Sequence, residues 1–362
     1  MASPSPASSQ SATSTQTSSA TASCVTVTPG KNGYVPNDAC NAEWNYNLSF
    51  TAALLFTILF GITTAVHIFQ AFIHQKVKMS WVIIMGTAWE FISFLFRALG
   101  AKNQQSLAFA FISQIFVLLA PLWINAFLYM VLGRMVYFFI PSKSLWRIKA
   151  TNITKIFVWL DVASFITQVA GGLMISPGSS PNQILIGIHV YMGGIGFQEF
   201  CILIFIALCT KFYLMKSEEE RGLSDSPNRI IETTPAQGRS WRQLIWAIYA
   251  ALALITVRII FRMIEFASGL DPSKNPIPFH EAYFYALDAA VMLLACVVMN
   301  IVHPGRILVG EESEFPKGPT RKEKKEARRV KKMEKKAAKE KKLVMQLETD
   351  ASKEHSLAYN MV

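Results

Sequence analysis

The sequence predicts an all-α integral membrane bundle of seven transmembrane helices with a polar interior. Three observations predict it. Of the 362 residues, 52% are hydrophobic and only 16% charged, whereas soluble domains carry about 25% charged residues. Seven apolar stretches each meet or approach the roughly 20 residues that cross about 30 Å of hydrocarbon as a helix. Helices also satisfy every backbone hydrogen bond internally in lipid. Charged residues recur inside these stretches at spacings of four and seven, which return them to one helix face. An ionisable side chain near the bilayer centre costs roughly 2.5–3.5 kcal/mol on insertion scales, so such residues are rare unless paired or functional.

Residues 1–33 form a Ser/Thr-rich tract without apolar periodicity, expected to be disordered. It does not read as a signal peptide, so the first span would act as its own insertion signal. The membrane domain covers 34–308, with spans near 48–73, 81–99, 107–137, 153–176, 184–214, 241–267 and 282–303. The second span carries Glu90 and Arg97. The third sets Gln114, Pro121 and Asn125 on one face, with Pro121 expected to kink the helix. The fourth holds Asp161 and Gln168, then Gly171 and Gly172.

On the fifth span, Gly187, Gly193, Gly194 and Gly196 precede Gln198 and Glu199. Small residues let helix backbones approach, so these glycines predict a packing seam, while Gln198 and Glu199 fall near the bilayer middle. A loop of about 25 polar residues follows, with Ser226-Pro227 and Thr234-Pro235 as weak phosphorylation signals. The sixth span sets Arg258, Arg262 and Glu265 on one face, and the seventh does the same with Glu281, Tyr285 and Asp288.

Loop charge orients the bundle. Eleven Lys and Arg residues lie in the first, third and fifth connections, against Lys31, Lys102 and Lys274 on the other side. This places the N-terminus outside and the C-terminus in the cytoplasm. The Ser/Thr tract is then suited to O-glycosylation. The sequon at Asn47 sits at the membrane edge and is expected to stay unused. Arg97, Arg258, Arg262, Glu265, Glu281 and Asp288 share the outer half of the membrane, with Glu90 deeper. Such groups allow Arg–carboxylate pairs. They are read either as ion pairs fixing helix register or as a site for substrate binding or transport.

The formal net charge is +11, but residues 321–342 hold thirteen Lys/Arg against four Glu, which is +9 of it. The basic character therefore belongs to the tail, 309–362, and no nucleic-acid partner is expected. That run reads as a helix able to bind anionic lipid, or simply as a solvated tail. Cys201, Cys209 and Cys296 fall in apolar stretches, while Cys24 and Cys40 could bridge on an oxidising side. His67, His74, His189, His280 and His303 form no H-E-x-x-H motif and no i, i+4 pair. No metal site or cofactor is expected, and no nucleotide-binding P-loop is present.

The runs YVPN (34–37), EFISFLFR (90–97), APL (120–122), LGR (132–134), DVASFITQVAGG (161–172), RIIFRMIEFASG (258–269), HEAYFYALD (280–288) and HPG (303–305) resemble the fungal RTA-like proteins. That family comprises seven-span lipid-translocating exporters. The resemblance covers roughly residues 34–308. It implies a fungal membrane protein, expected in the plasma membrane, linked to resistance to toxic amphiphiles such as sphingoid bases, aminosterols and porphyrins.

Transport of an amphiphilic lipid, without enzymatic chemistry, is accordingly the first expectation. Glu90, Glu265 and Asp288 would offer negative charge to a cationic head group, with Arg97, Arg258 and Arg262 holding them ionised. A seven-span lipid-sensing receptor has the same topology. Against it, the third span ends LGRMVY rather than Asp/Glu-Arg-Tyr, and the seventh lacks Asn-Pro-x-x-Tyr. An intramembrane lipid hydrolase is the third reading.

Overall fold

The computed structural model describes residues 25–36, 39, 41–175, 179–224, 235–267, 275–310 and 315, and then 325–326, 328–338 and 340–341. Among them, seven helices are long and apolar enough to cross a membrane. They are α1 Phe50–Ile73, α2 Val77–Lys102, α3 Leu107–Phe139, α4 Ala150–Met174, α5 Pro181–Ser224, α6 Pro235–Ala267 and α7 (281–301). Within α7, the α-helical turns Glu281–Phe284 and Ala290–Ile301 flank a π-helical stretch, Tyr285–Ala289. A two-residue antiparallel ladder, β1 Ser144–Leu145 with β2 Ile148–Lys149, lies between α3 and α4.

Sequence neighbours pack side by side and α7 returns to α1, so the helices close a ring. α3 also reaches α5 and α6 through the interior. α1 shows how apolar residues sort themselves. Ala53, Thr57, Phe60, Thr63, His67 and Gln70 point inward at helical spacing, while Leu54, Leu55, Ile58, Ile62 and Phe69 are exposed. In a bilayer that outer face meets lipid tails rather than water. Thr57, Thr63 and Thr64 return their hydroxyl protons to carbonyls four residues back, so none is left unpaired in the apolar layer.

The glycine seam forms between α4 and α5. A Cβ on Gly171 would meet the Tyr191 nitrogen at 2.5 Å and the Gly187 oxygen at 2.7 Å, and one on Gly194 would meet Gln168 at 2.8 Å. Gly172, Gly193 and Gly196 face open space, so only half of the predicted glycines make the seam.

The helix bounds follow the predicted stretches with small shifts at either end, and α5 differs most. It continues to Ser224, through ten residues expected to be loop. Lys, Glu and Arg are good helix formers, and Lys216 pairs with Glu219 at 2.8 Å on the same face. Glu220 accepts from the Trp241 indole at 2.6 Å and from Arg242 at 2.8 Å, which ties this extension to α6. The Cys24–Cys40 bridge, Ser226-Pro227 and Thr234 lie outside the described residues. The tail beyond Ser313 is a separate unit, whose described residues within 325–341 are helical and exposed.

Candidate functional site: ion pairs and a cavity inside the bundle

Asp288 is the hub of the buried charge. It is fully buried in the π-helical stretch of α7 and accepts from the Arg258 Nε at 2.5 Å. Its other oxygen pairs with Arg262. Arg262 also donates to Glu265 at 2.8 Å, one turn further along α6. Asn275 donates to the Glu265 backbone carbonyl at 2.7 Å, giving a partner to a carbonyl in the last turn of that helix. Arg258 has a further partner, the Val117 carbonyl of α3 at 3.0 Å. Val117 lies four residues before Pro121, which has no N–H to give it. The guanidinium supplies the donor that proline withholds.

The seventh-span trio divides between two groups. Tyr285 and Glu281 turn to Arg97 rather than to α6. Arg97 donates to the Tyr285 hydroxyl at 3.3 Å, pairs with Glu281 at 3.7 Å and also donates to the Tyr46 hydroxyl. Its guanidinium stands 4.2 Å from the Phe284 ring centroid and 5.3 Å from that of Trp44, where cation–π attraction adds to the ion pair. Tyr46 and Trp44 come from the segment before α1. The same segment uses the Ser49 N–H to reach Glu281 at 2.9 Å. Asn47 accepts from Gln104 at 2.8 Å, so its side chain is engaged in the fold.

A second polar group crosses α3, α4 and α5. Asp161 accepts from the Tyr129 hydroxyl at 2.9 Å and from Asn125 at 3.2 Å. Gln168 donates to Gln198 at 3.0 Å and to Ser164 at 2.9 Å, and Ser164 donates to the Gly194 carbonyl at 2.7 Å. Glu199 is half-buried beside Thr256.

Glu90 departs from the expectation that arginines would hold it. It is 1% exposed, and neither carboxylate oxygen has a hydrogen-bond partner among the described residues. Arg258 is committed to Asp288 and Val117, which leaves Glu90 apart from the ion-pair network. Sequence reasoning also missed Tyr46, Tyr129, Ser164, Tyr191 and Asn275. Tyr129 had a findable signal, since it lies one turn after Asn125 on the same face.

Between the two groups lies a cavity of about 20 Å³, room for about one water molecule. Its lining includes Arg258 and Arg262 of α6, Gln168 of α4, Gln198 and Tyr191 of α5, and Pro121 of α3. Among the described residues, no three His, Cys, Asp or Glu side chains converge as metal ligands would.

Seven apolar helices around an ion-paired interior define a multi-pass membrane protein. Residues 83–311 match the family model described as RTA1 like protein, and the chain belongs to that family. It is 46% identical to a probable lipid transporter, atnI, of Emericella nidulans, over 83% of this chain and 77% of that one. It is 26% identical to protein RTA1 of Saccharomyces cerevisiae, over 72% of this chain and 84% of that one. The sphingoid long-chain base transporter RSB1 of the same yeast is 24% identical, over 75% of each chain. Two of these relatives, atnI and RSB1, are named as transporters, not as enzymes. No solved structure matches the chain.

Proposed function

We propose that this protein moves amphiphilic lipids between bilayer leaflets, with the polar head group passing through the cavity among α3, α4, α5 and α6. One observation carries the reading. One cavity is lined both by Arg258 and Arg262, already balanced by Asp288 and Glu265, and by Gln168 and Gln198. A head group with a cationic amine would take the place of a guanidinium on Asp288 or Glu265, so neither carboxylate is left bare in a low-dielectric site. Its hydroxyls would meet Gln168, Gln198 and, deeper, Asp161, Asn125 and Tyr129. The names of relatives support a lipid cargo, with sphingoid long-chain bases the natural first candidate.

The cavity holds about a water molecule, so a head group enters only when helices separate. The α4–α5 pair is the piece that would move. Its glycine seam leaves no room for sliding within the pair, while its side-chain hydrogen bonds to α3 are few: two on one oxygen of Asp161, and one from the Thr154 hydroxyl to the Tyr129 carbonyl at 3.2 Å. Arg97 and its ring cage, with Glu281 and Tyr285, would close one end of the route. Glu199, near the bilayer middle and facing α6, would line it.

Loop charge orients the N-terminus outward and the C-terminus to the cytoplasm, which puts Asp288 in the outer half of the membrane and sets the basic tail against anionic lipid head groups. The plasma membrane is the proposed location. The test is movement of a fluorescent sphingoid base between leaflets of liposomes containing the purified protein. Movement faster than in protein-free liposomes is expected. Equal rates for several amphiphiles would leave a lipid-sensing receptor as the better reading.

A further inference from the structure

Two buried titratable side chains have no part in the cavity or the ion pairs. Neither oxygen of Glu90 on α2 has a hydrogen-bond partner among the described residues, and the His67 ring on α1 has no side-chain partner there, only the Cys296 backbone beside it. They are 1% and 0% exposed. Native proteins rarely leave such groups unsatisfied, and where they do, a bridging water or a function is the usual reason. Here both groups open on the same seam. The Cys296 thiol of α7 lies within electrostatic reach of Glu90. The Cys296 backbone lies against His67.

Charge counting isolates Glu90. Arg97, Arg258 and Arg262 are balanced by Glu281, Asp288 and Glu265. Arg258 and Arg262 of α6 and Asp288 of α7 act on Glu90 through space, without a hydrogen bond. α3 covers this level of α2 with apolar Phe116, Trp123 and Ile124. Among the described residues a carboxylate there has no hydrogen-bond donor, so taking up a proton removes a charge that the packing leaves unpaired.

The seam continues toward the α1–α2 connection. His67 faces His303 electrostatically. The Nδ1 of His303 accepts from the Gly305 N–H at 3.1 Å, which leaves Nε2 3.4 Å from the Ser80 hydroxyl. His303 stacks on the part-exposed His74, ring centroids 4.9 Å apart. At about 1.5 Å rise per residue, Glu90 lies roughly 20 Å and His67 roughly 9 Å from that end of the bundle. The remaining separation along the bundle axis is about 10 Å, a step that water entering the seam would make.

We propose that His67 and Glu90 form a proton route along the seam of α1, α2 and α7, and that it couples lipid movement to a proton gradient. The coupling rests on the transport reading above; the route does not. One proton enters through His74 and His303, is taken up by the His67 imidazole, and passes to a Glu90 carboxylate oxygen. The imidazole returns to neutral as Glu90 gains the O–H bond. Glu90 then returns to carboxylate as the proton passes to an Asp288 carboxylate oxygen, whose hold on Arg258 and Arg262 weakens as that O–H bond forms, and from there to water outside the bundle, with no change of oxidation state.

The test uses full-length protein in liposomes with an entrapped pH dye and a fluorescent sphingoid base. An imposed pH gradient is expected to change wild-type lipid movement several-fold and to carry protons with it. Glu90→Gln should still move lipid but lose both responses, and His67→Asn should slow proton entry. Lipid movement indifferent to the gradient, or Glu90→Gln behaving as wild type, overturns the proposal. Should wild type move no lipid at all, the transport reading fails by itself. The route is then decided by infrared difference spectra between acid and alkaline pH, which need no cargo. A carboxylic-acid band that Glu90→Gln removes supports it, and a wild-type spectrum without such a change overturns it.

Discussion

Arg258 donates to the Val117 carbonyl at 3.0 Å, and that carbonyl is the one Pro121 leaves without its helical partner. The contact joins α3 to α6 at the cavity wall and spends one of the guanidinium's donors. Arg258→Ala would strip Asp288 of one of two arginines and orphan the carbonyl as well. Removing one partner of a buried pair costs roughly 3–5 kcal/mol. In a Pro121→Ala background the restored N–H takes the carbonyl, so the loss from Arg258→Ala should be smaller by about 1–3 kcal/mol. A double-mutant cycle on thermal unfolding in detergent measures the difference.

The glycine seam yields a sharper contrast. Gly171→Ala forces a methyl against the Tyr191 and Gly187 backbones, whereas Gly172→Ala places one in open space. Overpacking of the first kind typically costs 1–3 kcal/mol, while the second change should stay within about 0.5 kcal/mol. Comparable unfolding temperatures for the two variants would show that the seam is not as tight as its backbone distances state.

Tyr129→Phe removes the shorter of the two hydrogen bonds that hold Asp161. A buried acceptor that loses a donor costs about 1–3 kcal/mol. The loss should shrink when Asp161→Asn is already present, and lipid movement should fall, because Tyr129 is among the groups proposed to meet the hydroxyls of the cargo.

His74 lies beyond the end of α1, where burial and then the charge of Arg306 hold its imidazole below the ordinary value of 6.5. As pH falls through 6.5, the unfolded chain takes the proton first, so the stability present above that pH is lost below it. His74 is partly exposed, and the effect should be small. Unfolding temperatures measured between about pH 7.5 and pH 5 should slope less in His74→Gln than in wild type.

Hydropathy made the spans legible because each helix must cross the same apolar thickness alone, a one-dimensional property. Spacing also brought Arg258, Arg262 and Glu265 to one face correctly, since α6 is a regular helix there. It placed Glu281, Tyr285 and Asp288 on one face, but the π-helical stretch at Tyr285–Ala289 shifts helical phase, and Tyr285 and Asp288 meet different arginines. The solitary state of Glu90 was hidden for another reason: which carboxylate an arginine selects depends on three helices at once. Tyr46 was out of reach because it sits in irregular chain before α1, where no periodicity points to Arg97. The continuation of α5 past the apolar layer was missed because polarity was read as loop, although its Lys and Glu residues favour helix.

The most direct measurement is sphingoid-base movement in liposomes by wild type and by Asp288→Asn, with folding of both checked by thermal unfolding. The account predicts protein-dependent movement in wild type and a loss of about tenfold or more in the variant, since a neutral amide cannot exchange a guanidinium for a cationic amine; a tenfold effect corresponds to 1.4 kcal/mol. Movement by Asp288→Asn at the wild-type rate would contradict the assignment of the cavity wall as the head-group site.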